Sequence, residues 1–159
     1  MLHRLLCRFL LLSLLMFIGL LTACHTPPAY HNYRSVSVEG WESKDTLTFS
    51  IDSLTMEDTY VLSLGVRTAV NYPFQSLWVV VKQSWNTPLR QRIDTVACVT
   101  HDTHGNALGK GVARSQQLMA VDTLQLPVGA RGTISIRHIM RRDLLPGSSD
   151  VGIELRKAE

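Results

Sequence analysis

The segment SLWVVVKQSW, residues 76–85, decides the fold class of this 159-residue chain. In an extended strand Leu77, Val79 and Val81 share one face, and Trp78 lies on the other face. A strand that is apolar on both faces is typical of a position inside a sheet. We therefore expect this segment to be a strand that lies centrally or is covered on both faces.

Six further segments show the alternation of a strand, with apolar and polar residues at a period of two. They are DTLTFSID (45–52), TYVLSLGVR (59–67), RIDTVACVT (92–100), TLQLPV (123–128), GTISIRHIM (132–140) and DVGIELRK (150–157). Turn residues such as Pro73, Pro88 and Gly105 separate them. The segment nearest to a helical pattern, SQQLMAV (115–121), is short. The pattern predicts an all-β, antiparallel β-sandwich, jelly-roll or immunoglobulin-like. Its core layer would contain the bulky residues Trp41, Phe49, Trp78 and Trp85.

The N-terminus has the pattern of a lipoprotein export signal. Arg4 and Arg8 precede an apolar block, residues 9–21, that is too short to span a bilayer. The block ends in Leu-Thr-Ala-Cys, so we expect cleavage between Ala23 and Cys24 and lipidation of the Cys24 thiol. The alternative is an ordinary signal peptide with a chance cysteine. The predicted organisation is a signal peptide over 1–23, a lipidated N-terminus and flexible tether over 24–35, and a single β-sandwich domain over 36–159.

Charge and cysteine content argue against nucleic-acid binding and against an intramolecular disulfide. The chain has 16 Lys and Arg against 13 Asp and Glu, and loss of two arginines with the signal peptide leaves a net charge of +1. A nearly neutral domain lacks the basic footprint of a nucleic-acid-binding protein. Cys7 leaves with the signal and Cys24 carries lipid, so Cys98 has no intramolecular partner, and we expect it to be a small core residue.

Three segments carry residues that could perform chemistry. THDTHGN (100–106) places His101, Asp102 and His104 close together, which suits a metal or a general base, although a polar loop is the favoured interpretation. GSSD (147–150) offers hydroxyls near His138 but no nucleophile elbow. GNALGKGVA (105–113) lacks the spacing of a phosphate-binding loop. We therefore predict no catalytic residue, no metal site and no cofactor.

Two further patterns have a binding interpretation beside a structural one. Arg141 and Arg142 directly follow a predicted strand, where arginine either pairs with a carboxylate or recognises a partner. Large aromatic residues could form a platform for a glycan, although in a sandwich they are more often core. The candidates for that platform are Trp41, Tyr72, Trp78 and Trp85.

Several stretches together resemble the gliding-motility lipoprotein GldH family of Bacteroidetes-type bacteria. They are the lipobox with Cys24, YHNY (30–33) followed by Trp41, YVLSLGVR (60–67), NYPFQSLWV (71–79), DTHGNALGKGV (102–112) and HIMRRDLLPGSSDVGIELRK (138–157). The resemblance implies a lipid-anchored envelope protein of the gliding machinery and its associated secretion system, and it supplies no catalytic residues. As candidate interaction residues we take Arg67, Tyr72, Trp78, His138, Arg141 and Asp150.

The expected partners are the membrane, through the N-terminal lipid, and other envelope proteins of the motility and secretion apparatus. His25 rather than aspartate follows Cys24, which favours the outer membrane, and the tether has no acidic cluster, which favours the periplasmic face. The alternatives are a carbohydrate-binding lipoprotein and, less favoured, a hydrolase. The sequence does not specify an oligomeric state.

Overall fold

The computed structural model describes residues 27–69 and 71–158, and all regular secondary structure in these ranges is β-strand. The signal peptide, the cleavage position at Ala23 and Cys24 and the first residues of the tether lie outside the described residues. In the described part of the chain no helix is long and apolar enough to cross a membrane. The strands are β1 (Tyr30–Ser35), β2 (Trp41–Glu42), β3 (Leu47–Ile51), β4 (Asp58–Ala69), β5 (Ser76–Asn86), β6 (Leu89–Val99), β7 (Arg114–Leu126), β8 (Gly132–His138), β9 (Leu144–Leu145) and β10 (Ser148–Lys157).

The eight long strands form two four-stranded antiparallel sheets. The first sheet has the order β1-β10-β4-β7, the second has the order β3-β8-β5-β6, and the short strands β2 and β9 pair with each other. Strands far apart in sequence are therefore neighbours, as in the double Greek key of a jelly roll. The predicted antiparallel β-sandwich is confirmed, and of its two candidate topologies the strand order is that of the jelly roll.

β5 lies centrally in the second sheet, between β8 and β6, as predicted. Leu77, Val79 and Val81 point into the core and are fully buried. Trp78 points the other way and is 47% exposed, so its placement in the core layer was wrong. The first sheet covers only one face of the second, and the period of two places Trp78 on the uncovered face.

Two segments differ from the sequence-based expectation. β1 occupies six residues that were assigned to the tether, and it pairs with β10 along its whole length. Residues 115–121, the segment nearest to a helical pattern, lie within the 13-residue strand β7, which pairs with β4. In both segments pairing with a distant strand outweighs a weak local preference.

The connections between strands divide the molecule into two ends. At the terminal end lie the start of β1, the end of β10 and the connections 52–57, 87–88 and 127–131. At the loop end lie the connections 36–46, 71–75, 100–113 and 139–147. β5 has 11 residues, so the two ends are separated by about 35 Å. The loop end therefore contains the three segments considered for chemistry, residues 100–106, 105–113 and 147–150.

Candidate functional site

A cleft of about 410 Å³ opens at the loop end, and we call it the Trp78 cleft. It is lined by Phe74, Trp78, Ile139, Met140, Arg141 and Arg142. Two hydrogen bonds hold its walls together, because the Ile139 N–H donates to the Trp78 carbonyl at 2.9 Å and the Trp78 N–H donates to Met140 Sδ at 3.4 Å. The chain leaving β8 is thereby held against the start of β5, which brings the two arginines beside the tryptophan.

The cleft combines apolar surface with positive charge. Trp78 and Ile139 are among the exposed large apolar residues, and the Arg142 guanidinium lies 5.9 Å from the centre of the Phe74 ring. Among the described residues neither Arg141 nor Arg142 has a carboxylate within 4.0 Å. Two guanidinium groups beside an exposed indole suit a ligand that carries both an anionic group and an apolar group.

The sheet face next to the cleft carries no acidic residue at the outward positions of β8, β5 and β6. Those positions are Thr133, Ser135 and Arg137 on β8, Ser76, Trp78, Val80, Lys82, Ser84 and Asn86 on β5, and Leu89, Gln91, Ile93, Thr95, Ala97 and Val99 on β6. Arg137 and Lys82 add positive charge to this face. The electrostatic character of the cleft therefore extends along the sheet.

Tyr72 and His138, two of the predicted interaction residues, lie behind the cleft rather than on it. The Tyr72 ring packs edge-on against Phe74 at 5.5 Å and stacks on His101 at 6.0 Å, and burial raises the pKa of its hydroxyl. His138 Nε2 donates to the Trp41 carbonyl at 3.0 Å, and burial lowers the pKa of the ring. Both side chains are buried, and Tyr72 supports the cleft from inside through its contact with Phe74.

Asp150 lies on the outer side of the other sheet, in a cluster of polar side chains. It accepts hydrogen bonds from Ser35 Oγ at 2.7 Å, Ser149 Oγ at 2.9 Å and Arg114 Nη1 at 3.1 Å. Burial raises the pKa of Asp150, but these hydrogen bonds and the charges of Arg114 and Arg67 outweigh it and hold the pKa below its ordinary value. Asp150 on β10 is thereby tied to β1 through Ser35 and to β7 through Arg114.

Arg67 belongs to the same cluster, and its guanidinium also has partners within the protein. Its guanidinium lies over the Tyr33 ring at 4.0 Å, and Arg67 Nε donates to Gln116 Oε1 at 2.9 Å. Of the six candidate interaction residues, the structure therefore brings Trp78 and Arg141 together in the cleft and Arg67 and Asp150 together on the other sheet, while Tyr72 and His138 are buried. Sequence reasoning missed Phe74, Ile139 and Met140 as neighbours of that pair, and it had noted Arg142 without naming it as a candidate.

The metal hypothesis for residues 100–106 finds no support in the local geometry. Asp102 Oδ1 accepts the backbone N–H groups of His104 and Asn106, each at 2.8 Å, so the carboxylate organises the loop. His101 is buried and its Nδ1 contacts Thr100 Oγ1, whereas His104 is exposed. The described residues contain no cluster of three or more His, Cys, Asp or Glu side chains that could hold a metal ion.

The structure also gives no support to the hydrolase hypothesis or to a glycan platform of several tryptophans. The single hydroxyl hydrogen of Ser149 is shared between the Arg67 carbonyl at 3.1 Å and Asp150 Oδ2 at 2.9 Å, and His138 Nε2 donates to the Trp41 carbonyl, so Ser149 and His138 do not form a dyad. Trp41 and Trp85 are 0% and 1% exposed, which leaves Trp78 as the exposed tryptophan of the described chain. An aromatic platform built from two or more of these tryptophans is not formed.

A larger cavity of about 710 Å³ lies between the glycine-rich segment 108–111 and β7. Lys110 and Gln116 exchange two backbone hydrogen bonds there, which hold the segment beside the strand. Its walls contain no aromatic residue, and Lys110 is the charged residue among them. Compared with the Trp78 cleft, it offers fewer groups for specific recognition.

Comparison with known proteins gives a family and distant structural likenesses. The family model described as GldH lipoprotein matches residues 28–155. The gliding motility lipoprotein GldH of Flavobacterium johnsoniae is 23% identical over 148 residues, covering 88% of this chain and 91% of that protein.

Two solved structures resemble the fold at low identity. A family GH115 4-O-methyl-α-glucuronidase with specificity for decorated arabinogalactans matches with a TM-score of 0.47 and 14% identity, over 86% of this chain and 18% of that one. A protein of Sulfurospirillum deleyianum matches with a TM-score of 0.41 and 11% identity, over 84% of this chain and 99% of that one.

Proposed function

Because the chain belongs to the GldH lipoprotein family, we propose that it is a lipid-anchored, non-catalytic accessory component of the gliding-motility machinery and its associated secretion system. In this proposal the chain is cleaved after Ala23 and acylated on Cys24. The sandwich faces the periplasm from the outer membrane. It acts by holding other envelope proteins close to that membrane.

The family match carries the motility assignment, and the position of the Trp78 cleft relative to the chain termini supports the role in holding partners. β1 begins at the terminal end, and the cleft lies at the loop end. The six residues 24–29 reach at most about 20 Å when extended, and the strands add about 35 Å. A domain that stands upright on its anchor therefore presents the cleft well away from the bilayer.

The composition of the cleft supports a protein partner. Tryptophan and arginine are the residues that most often dominate the energy of protein interfaces. Anchoring confines the domain to a layer near the membrane and so raises its effective concentration around other envelope proteins. Weak contacts at the cleft are then sufficient for assembly.

The proposal is tested by chemical crosslinking in intact cells, isolation of the C-terminally tagged protein and mass spectrometry of the captured proteins. We expect components of the motility or secretion machinery to be recovered. The Cys24→Ser variant is the matched control, since it should lose the membrane fraction and these partners together. Recovery of no such component from the wild type would contradict the proposed function.

A further inference from the structure

We propose that the Trp78 cleft binds an acidic polypeptide segment of a partner protein. An apolar side chain of that segment packs on Trp78 and Met140, and its carboxylates pair with Arg141 and Arg142. The inference rests on the proposed function insofar as the ligand is a protein, and it adds the chemistry by which that protein is recognised.

The first step is the charge of the cleft. Arg141 and Arg142 are exposed and lack an ion-pair partner within the described residues, in contrast to Arg114, which pairs with Asp150 at 3.1 Å. Arg137 and Lys82 continue the positive charge on the adjoining sheet face. Guanidinium groups bind carboxylates through parallel hydrogen bonds, and clusters of arginine are a recurring means of recognising acidic segments.

The second step is the apolar floor. Trp78 is 47% exposed, so its indole is available to a ligand. Its backbone N–H donates to Met140 Sδ, which fixes the strand beneath the indole. Methionine adapts its unbranched side chain to the shape of a bound group. An apolar side chain that covers Trp78 would remove its ring from water, which favours binding.

The third step is the choice of a polypeptide over a glycan or a lipid. Glycan binding usually relies on stacking against exposed aromatic faces. The cleft has two aromatic side chains, but Phe74 is half-buried with the Arg142 guanidinium over its ring, which leaves the Trp78 indole as the face for stacking. The cleft lies about 35 Å from the terminal end, where the tether joins the domain, which favours a ligand other than the anchoring bilayer. An acidic polypeptide satisfies the arginines and the indole at the same time.

The test uses a photo-crosslinking amino acid at Ile139, which lines the cleft, in the full lipoprotein inside cells. The same amino acid at Val128, an exposed residue of the terminal end, is the control position. Mass spectrometry identifies the crosslinked material. We expect peptides rich in Asp and Glu from one or a few proteins at position 139, and a different or no product at position 128.

Charge-reversal variants then test the role of the arginines. Arg141→Glu combined with Arg142→Glu should lower the crosslink yield at position 139 by about tenfold or more, and Trp78→Ala should also lower it. Arg131→Glu, the same charge change at an exposed residue of the terminal end, should leave the yield within about twofold. Circular dichroism of each variant establishes that it is folded.

Crosslinks to lipid or glycan alone, or to a polypeptide without acidic enrichment, would overturn the inference. So would a yield that does not respond to reversal of Arg141 and Arg142 in a folded protein. An acidic polypeptide that is not a motility or secretion component would uphold the inference while contradicting the proposed function. The two outcomes are therefore distinguishable.

Discussion

The guanidinium of Arg67 lies 4.0 Å from the centre of the Tyr33 ring, and that ring rests against two glycines that are partners across β4 and β10. A Cβ atom on Gly65 would overlap Tyr33 Oη and lie 2.6 Å from Cζ, and one on Gly152 would lie 2.6 Å from Cγ and Cδ1. The edge strand β1 thus covers the centre of its sheet with one aromatic side chain. Arg67 takes part in this packing.

We expect Gly65→Ala to destabilise the protein by about 1–3 kcal/mol, because the new methyl group displaces the Tyr33 ring. Chemical denaturation measures the effect. In a Tyr33→Ala background the same substitution should cost much less, since the three atoms nearest to the added Cβ all belong to Tyr33. Equal costs in the two backgrounds would show that the ring does not explain the glycine.

Tyr33→Phe provides a matched control for this packing. The Tyr33 hydroxyl is buried and has no hydrogen-bond partner among the described residues. Removing it should therefore leave the free energy of unfolding within about 0.5 kcal/mol of wild type, or raise it. A loss as large as that of Tyr33→Ala would indicate a partner for the hydroxyl.

Stability should decline in acid through Asp150. Because the pKa of Asp150 is lower in the folded protein than in the unfolded chain, its contribution is present above the unfolded value of about 3.9 and is lost as pH falls through the folded value. Denaturation of wild type and Asp150→Asn from pH 7 to pH 2 measures this. The stability difference between the two proteins should shrink below about pH 4, and a constant difference would exclude the mechanism.

Gln83→Leu should destabilise the protein by about 2–3 kcal/mol. Gln83 is fully buried, accepts the Trp85 indole N–H at 3.2 Å and donates to Asp122 at 3.1 Å. Leucine at position 83 would remove the hydrogen-bond partner of the buried Trp85 indole N–H and one of the partners of Asp122. Ser84→Ala, at the neighbouring outward position, should change the free energy of unfolding by less than about 0.5 kcal/mol. Similar losses for the two variants would contradict a specific role for the buried amide.

Tryptophan fluorescence should report the different exposures of the three indoles. Iodide or acrylamide should quench the emission of Trp78, which is 47% exposed, and hardly affect Trp41 and Trp85. In Trp78→Phe the quenchable fraction should disappear while the rest of the emission persists. Quenching that survives this substitution would mean that a second tryptophan reaches solvent.

Cys98 should be unreactive in the native protein. Burial raises the pKa of its thiol to about 12, so little thiolate forms at pH 8, and the sulfur is shielded from reagents. Ellman's reagent should label the lipoprotein only in denaturant. Cys98→Ser should remove that labelling, and rapid labelling of the native wild type would contradict the burial.

Much of the sandwich could be predicted from local pattern. The alternation in residues 45–52 and 150–157 sets which side chains face the core, because side chains of a strand point to opposite faces in turn. β1 could not be predicted in this way, because its residues are mostly exposed and its place depends on backbone pairing with β10. The sequence likewise could not show that Trp78 faces solvent, because an apolar side chain on a strand does not reveal which faces are covered.

The sequence by itself determined the fold class and the family, because both depend on residue order along the chain. Only the tertiary structure decided that Trp78 and Arg141 share one cleft while Arg67 and Asp150 serve the opposite sheet. The physical reason is that the cleft forms where β5 and the chain leaving β8 meet, about sixty residues apart in sequence. Hydrogen bonding between strands that are distant in sequence brings these two segments together, and the alternation of side chains along one strand does not specify such pairing.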